Sequence, residues 1–286
     1  MNHVLSYLYV SGHLPRQIER AYASECGAVV LDLEDSVPDE KKDYARDAVA
    51  EVTARATGKP TYVRVNSVGS GRCADDVLAV AGPGLWGVRL PKVAGPDDVR
   101  TVDDLLDTAG SPATVHLLLE SAFAVECAYT LAKAASRVEL LGLGEGDLRV
   151  DLRCDADGPT MDAARVRVVT ASRAAGLGCP PQCVYPDVRD PAGLRESTRR
   201  GRGLGFFGRM ALHPAQVPVI HEVYTPTADE IAEAREICAV AEAARQRSTS
   251  VVITERQGRL VAPPITAQAK LTLELAHALD LIKEPS

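Results

Sequence analysis

The sequence predicts an α/β fold: a (β/α)8, or TIM, barrel over residues 1–225, followed by a small helical extension over 226–286. Three observations predict it. Short apolar runs recur near residues 5–10, 28–33, 61–66, 86–91, 114–119, 138–143, 182–186 and 207–212, with helical patterns between them. Strands alternating with helices imply a parallel sheet, and the count of eight implies closure. Successive runs also end in polar or charged residues: Asp32, Glu34 and Asp35, then Arg64 and Asn66, then Lys92, then Glu120, then Glu145 and Asp147. A barrel of this type builds its site on the C-terminal rim of its strands. Finally, uninterrupted runs such as Ala28-Val29-Val30-Leu31 suit strands covered on both faces. No Gly-x-Gly-x-x-Gly follows the first strand, which removes the main support for a dinucleotide fold.

The intervening helices follow in order. Ile18, Tyr22 and Cys26 form an apolar face that stops before Gly27. Tyr44, Ala45, Ala48, Val49 and Val52 form the next, and Val99, Val102, Leu105 and Leu106 another. The latter is introduced by Pro96-Asp97-Asp98, suited to a helix start. Ala124, Cys127, Ala128, Leu131 and Ala132 continue the series, then Val166, Val169, Ala171 and Ala174 with Gly176 as a stop. Pro191 starts another helix that ends near Gly203-Leu204-Gly205. Beyond residue 225 the pattern changes. Thr227-Ala-Asp-Glu230 reads as a capping box before the stripe Ile231, Ala234, Ile237, Cys238 and Ala241. A short extended piece at 250–253, a Gly258 turn and Pro263-Pro264 precede a last helix over 267–281.

The composition narrows the function. A net charge of −7 without a basic stripe argues against a nucleic-acid partner. Arg199-Arg200-Gly201-Arg202 reads as a solvated helix end. No window approaches the ~18 uninterrupted apolar residues of a membrane span, and the first residues lack a signal-peptide pattern. Seven scattered cysteines fit the reducing cytoplasm better than a disulfide framework. The nearest pair, Cys179 and Cys183, reads as two thiols flanking a turn, a zinc site being the alternative.

Several residues carry candidate chemistry. Glu120 and Asp147 end adjacent strands and offer hard oxygen ligands to Mg2+, which keeps several waters and few protein carboxylates. Each could instead cap a following turn. Arg64 sits in an apolar run and must either pair with Asp32 or Glu34 or receive a substrate carboxylate. Lys92 could form a Schiff base if desolvated, or remain charged beside the carboxylates. His13 and His213 could serve as general bases or as loop and cap residues.

Seven segments in order resemble the HpcH/HpaI aldolase and citrate lyase family, in its citrate lyase β-subunit-like branch. They are Leu8-Tyr-Val-Ser-Gly-His13, Val30-Leu-Asp-Leu-Glu-Asp-Ser36, Tyr62-Val-Arg-Val-Asn66, Leu90-Pro-Lys-Val93, Leu119-Glu-Ser121, Gly144-x-x-Asp147-Leu148 and Ala211-Leu-His-Pro-Ala-Gln216. The resemblance implies a TIM barrel that binds Mg2+ through Glu120 and Asp147. It implies cleavage or formation of a C–C bond beside a CoA or carrier-protein thioester of malyl, citramalyl or citryl type. Arg64 matches the residue that contacts the substrate. Asp32, Glu34 and Asp35 match an acidic cluster bordering the metal. Lys92, His13 and Arg16 are further substrate-binding candidates. The resemblance also implies a homo-oligomer, often a trimer, whose C-terminal segment packs on its own or a neighbouring barrel.

In the expected mechanism a base takes the hydroxyl proton, the C–C bond breaks, and Arg64 and the metal stabilise the resulting thioester enolate. The chain departs from the family's pattern at several positions: Ala262 stands where a tail aspartate is usual, Gly146 where a glutamate is, Arg149 adds a charge, Phe123 follows Ser121-Ala, and Ser11 replaces a proline. These point to an altered substrate pocket. Two other readings remain open: a metal-dependent aldolase acting on free 2-keto-4-hydroxy acids, and a catalytically idle β-like subunit.

Overall fold

The computed structural model describes residues 4–246, 252–253 and 260–283. Their contacts divide the chain into two compact units, one running to His221 and the other from Glu222.

The first unit alternates strand and helix. It contains β1 (Ser6–Ser11), α1 (Pro15–Ala23), β2 (Ala28–Asp32), α2 (Lys42–Thr53), β3 (Thr61–Arg64), α3 (Cys73–Val80), β4 (Gly87–Leu90), α4 (Pro96–Thr108), β5 (Thr114–Leu119), α5 (Ala122–Glu126), α6 (Ala128–Ala132), β6 (Val138–Leu143), α7 (Glu145–Leu152), α8 (Pro159–Ala174), α9 (Pro191–Leu204), β7 (Arg209–Ala211) and most of α10 (Val217–Tyr224). The strands form one seven-stranded sheet in the order β6-β5-β4-β3-β2-β1-β7. Every pairing is parallel. All of β2 and β4 is buried, as the unbroken apolar runs require. The sheet curls. Leu140 of β6 and Met210 of β7 come from opposite edges, yet both pack in one interior cluster with Tyr7, Val30 and Tyr62.

The strand expected over 182–186 is reduced to one bridging residue. Gln182 pairs in parallel with Arg209, accepting from Met210 N at 2.9 Å and donating to Gly208 O at 2.9 Å. Pro180 and Pro181 before it and Pro186 after it lack the N–H groups that a longer ladder needs. The sheet therefore has seven strands and a bridge instead of eight strands. The helix expected across 124–132 breaks at Cys127 into α5 and α6. The helices α3 and α7 lie where the apolar pattern is too short to announce them.

The second unit holds α11 (Ala228–Gln246), a two-stranded antiparallel piece, β8 (Val252–Ile253) with β9 (Leu260–Val261), and α12 (Pro263–Ala278). The capping box is present: Thr227 N donates to Glu230 Oε2 at 2.8 Å, and Glu230 N donates to Thr227 Oγ1 at 3.1 Å. Ala234 and Ile237 of α11 pack with Val261 and Ala269. The Gly258 turn lies outside the described residues. The last helix starts at Pro263, four residues before the expected position, because a proline at its first position needs no N–H partner. Among the described residues no helix is long and apolar enough to cross a membrane.

Ala262 is the N-cap of α12 and offers no side-chain acceptor. Ala262→Asp is expected to stabilise that helix by about 1 kcal/mol. Amide exchange in the first turn of α12 should slow by roughly fivefold if it does.

Candidate functional site at the strand ends

A cleft of ≈ 400 Å³ opens at the C-terminal ends of the strands, lined among others by Tyr9, Asp32, Asp35, Arg64, Arg89, Glu120, Gly144, Asp147 and Met210. Its wall is organised around Arg64. Parallel register places Arg64 opposite Asp32. The guanidinium forks onto that carboxylate, Nε to Oδ1 at 2.6 Å and Nη2 to Oδ2 at 2.7 Å. Nη1 lies 2.9 Å from Glu34 Oε2 and 3.4 Å from Asp35 Oδ2. Tyr9 lies under the group, with its ring centroid 5.2 Å away. Burial raises the Asp32 pKa, but the hydrogen bonds and charge of Arg64 outweigh it and leave the carboxyl below its ordinary value. Burial likewise works against the charge of Arg64, and Asp32 more than offsets it.

The acidic turn after β2 is fixed from both sides. Asp32 accepts from Glu34 N at 3.0 Å and Ser36 N at 3.1 Å. From below, the buried Lys42 Nζ donates to Leu33 O at 2.9 Å, Glu34 O at 2.7 Å and Asn66 Oδ1 at 2.8 Å. Asn66 is itself held by Asp76 at 2.6 Å, so this strand-end residue serves the turn and not the cleft.

Lys92 joins the acidic turn to Glu120. Its backbone has a left-handed φ of 51°. Its N–H donates to Glu120 Oε2 at 2.7 Å, while Nζ meets Glu34 and lies 2.9 Å from Asp35 Oδ1. Partial burial lowers the Lys92 pKa, but those carboxylates outweigh it and hold the group above its ordinary range. A Schiff base needs a neutral amine. The ion pairs therefore favour the charged reading of Lys92 over the Schiff base, and Lys92 is not among the residues that line the cleft.

Glu120 is 7% exposed and lies in contact with Gly144 at the end of β6. A Cβ on residue 144 would sit 2.3 Å from Glu120 Oε1, so glycine is what lets this carboxylate lie where it does. Burial, followed by the charge of Glu34, pushes the Glu120 pKa up to about 7, with Asp147 adding to the rise. Ser121, not Glu120, caps α5, its Oγ accepting from Ala124 N at 3.1 Å. Asp147 is exposed in the first turn of α7, and its side chain accepts no hydrogen bond from the described residues. Glu145 beside it is occupied by Arg165, at 3.0 and 2.5 Å. Among the described residues no three His, Cys, Asp or Glu side chains form a ready metal cluster. The pair Glu120 and Asp147 fits a hard divalent cation that leaves most of its positions to water and substrate oxygens.

The other candidates fall outside the cleft lining. His13 Nδ1 lies 2.7 Å from Ser11 Oγ, and that hydroxyl donates onward to Ser36 O at 2.9 Å. His13 must therefore donate from Nδ1, and burial lowers its pKa. Arg16 is exposed on α1, and its neighbour Gln17 lines the cleft instead. His213 accepts from Ala215 N at 3.1 Å in a capping box with Gln216, the cap role of its two readings. Residue reasoning missed Tyr9, Arg89 and Gly144. Arg89 stands one residue inside an apolar strand and alone gives no hint of which way it faces.

Residues 5–214 match the family model described as HpcH/HpaI aldolase/citrate lyase. A "citrate lyase subunit beta-like protein" of Deinococcus radiodurans is 33% identical over 94% of this chain and 95% of its own. An "L-malyl-CoA/beta-methylmalyl-CoA lyase" of Cereibacter sphaeroides is 30% identical over 96% of this chain and 94% of its own. The crystal structure of the protein CitE from Mycobacterium tuberculosis, in complex with magnesium, acetoacetate and coenzyme A, has a TM-score of 0.81 at 27% identity. It covers 97% of this chain and 100% of that one.

Two outcomes follow from the setting of Glu120. Its folded pKa lies above the ordinary 4.5, so ionisation removes stability as pH rises from about 4.5 to about 7. With EDTA present, Glu120→Gln should be more stable than the parent at pH 8 by up to about 3 kcal/mol. That advantage should vanish near pH 4, read by urea unfolding. Gly144→Val should displace the Glu120 carboxylate and weaken divalent-cation binding at least ~10-fold, read by calorimetric titration.

Proposed function

We propose, on the premise that the chain belongs to the HpcH/HpaI aldolase/citrate lyase family, that it is a Mg2+-dependent carbon–carbon lyase. It would cleave or form a 3-hydroxyacyl thioester of CoA in the retro-Claisen or aldol sense. The observation that carries this reading is the buried Glu120, which lines the cleft together with Asp147 and has no ion-paired cation of its own among the described residues. The magnesium and coenzyme A bound to the Mycobacterium tuberculosis relative, and the lyase name of the Cereibacter sphaeroides one, support it. We further propose closure of the sheet into a full barrel through the bridge at Gln182, and a homotrimer in a reducing cytoplasm, which the free cysteines fit.

Glu120 and Asp147 would hold the metal. Bound Mg2+ supplies Lewis-acid polarisation of a substrate oxygen and neutralises developing charge. Asp35 lines the cleft and receives the substrate's hydroxyl proton. Burial opposes its ionisation, but Lys92 and Arg64 keep its pKa low, so it is ready as an acceptor at neutral pH. Arg64 faces the cleft with its orientation locked by Asp32. It stabilises the negative charge left when the C–C bond breaks, at no reorganisation cost. Glu34 and Lys92 act through Arg64 and Asp35 and do not touch substrate.

The test is a mass-spectrometric survey of malyl-, citramalyl-, citryl- and 3-hydroxy-3-methylglutaryl-CoA with Mg2+ or EDTA. The expected result is a shorter acyl-CoA plus a keto acid, lost with EDTA and in Glu120→Ala. Turnover of free hydroxy-keto acids alone would favour the aldolase reading, and neither turnover nor metal binding the idle subunit. Arg64→Lys, which cannot keep the fork to Asp32, should lower kcat by roughly 10²–10³-fold.

A further inference from the structure

The interior of the sheet carries two guanidinium groups in opposite states. Parallel register sets Arg89 of β4 beside Arg64 of β3. Arg64 is saturated by carboxylates. Arg89 is 2% exposed, and among the described residues no Asp or Glu forms an ion pair with it. Its Nε donates to Tyr9 Oη at 2.8 Å, and its Nη1 has no hydrogen-bond partner. A guanidinium keeps its proton, and burying one without an anion is costly. A cation kept at that cost fits an anion that is present for only part of a reaction.

Tyr9 is where such an anion can form. Side chains two apart on a strand share a face, so Tyr9 follows Tyr7 of the interior cluster, one step nearer the strand ends. Both cations lie against its ring, with centroid distances of 5.2 Å to the Arg64 guanidinium carbon and 6.0 Å to that of Arg89. Its hydroxyl accepts from Arg89, and among the described residues its own proton has no acceptor. Tyr9 also lines the cleft. The phenol thus has one proton to give and a cation already in place at its oxygen. Burial raises the Tyr9 pKa, and the charges of Arg89 and Arg64 offset this only in part, so the proton is present at neutral pH.

The other acids of the cleft are committed. Burial works against ionisation of Asp32 and Asp35, but Arg64 and Lys92 outweigh it, and both are proton-free at neutral pH. Glu145 is occupied by Arg165, and Glu120 and Asp147 are the carboxylates assigned to the metal. Cys183 lines the cleft too, but among the described residues no arginine hydrogen-bonds to its sulfur. Leu118, Leu143 and Met210 wall the same cleft and offer water no hydrogen-bonding partner.

We propose that Tyr9 is the acid that protonates the α-carbon of the thioester enolate, and that Arg89 is the buried cation that holds the phenolate left behind. The proposal rests on the lyase reading. When the C–C bond breaks, its electron pair stays on the thioester fragment as an enolate. A C–H bond then forms at the α-carbon as the Tyr9 O–H bond breaks. The phenolate regains a proton from water as the products leave, and Asp35 returns to water the proton it took from the substrate hydroxyl, so none is consumed. Arg89 acts through Tyr9 and does not touch substrate.

The test gives malyl-, citramalyl-, citryl- and 3-hydroxy-3-methylglutaryl-CoA to the Mg2+-loaded protein in an equal mixture of H2O and D2O. Rates are measured, and the deuterium content of the acyl-CoA product is read by mass spectrometry. That content depends on which acid delivers the proton, so a merely structural loss does not move it. Tyr9→Phe should lower kcat at least ~10²-fold, the scale of one general acid, with KM little changed and the deuterium content shifted. Arg89→Met should lower kcat roughly 10-fold, the loss of one charge-assisted hydrogen bond to the phenolate, with the deuterium content kept. Arg89→Lys should restore part of that rate. If Tyr9→Phe fails to fold, the two Arg89 variants carry the test. An undiminished kcat or an unchanged deuterium content in Tyr9→Phe overturns the pair, as does a kcat indifferent to Arg89→Met. So does a loss on Cys183→Ala that Tyr9→Phe does not share. A parent that cleaves none of the thioesters overturns the lyase reading and the pair with it, whereas cleavage indifferent to these variants overturns the pair alone.

Discussion

Because parallel pairing sets Asp32 of β2 opposite Arg64 of β3, the two side chains meet at the strand ends as a two-pronged ion pair. The rest of the candidate site depends on that meeting. Asp32 spends its remaining lone pairs on the backbone of Glu34 and Ser36, which shapes the acidic turn. The turn then aims Glu34 and Asp35 at Lys92, and Lys92 turns its N–H to Glu120. A chain of charge-assisted contacts thus runs across the ends of β2, β3, β4 and β5. Buried pairs of this kind add little net stability over an apolar core, but breaking one partner is expensive. What such a chain supplies is a fixed geometry.

Fixed geometry has an electrostatic counterpart. The carboxylates outnumber the cations that pair with them around the cleft mouth, and at Glu120 burial first, then the charge of Glu34, lifts the pKa to about 7. Deeper in, the imbalance reverses at Arg89.

Much of the fold was legible in the sequence, because strands buried on both faces write themselves as unbroken apolar runs. The acids and bases that end those runs were legible for the same reason: a charge at the edge of an apolar stretch stands out. The run at 182–186 misled, since apolar character marks burial and not ladder pairing, and three prolines cancel the N–H groups the ladder needs. Residues that act by contact were not legible. Lys92 reads either as a Schiff-base amine or as a charged partner of the carboxylates until those are placed around it. His213 reads either as a base or as a cap until its ring is placed against the turn. Arg89 is hidden because strand position alone does not show whether a partner stands opposite. Gly144 is silent, since its role is the space that Glu120 fills.

That last arrangement has a consequence for how such a site can change over generations. A side chain at 144 and a carboxylate at 120 exclude one another, so neither position is free to drift alone. Any lineage that acquired a bulkier residue at 144 would first have to have lost the acid at 120, and with it the reason to keep the glycine. The pair therefore behaves as a one-way latch. While the acid is used both positions stay frozen, and once it is discarded the glycine is free to vary, after which the way back needs two changes in a fixed order, the glycine before the acid.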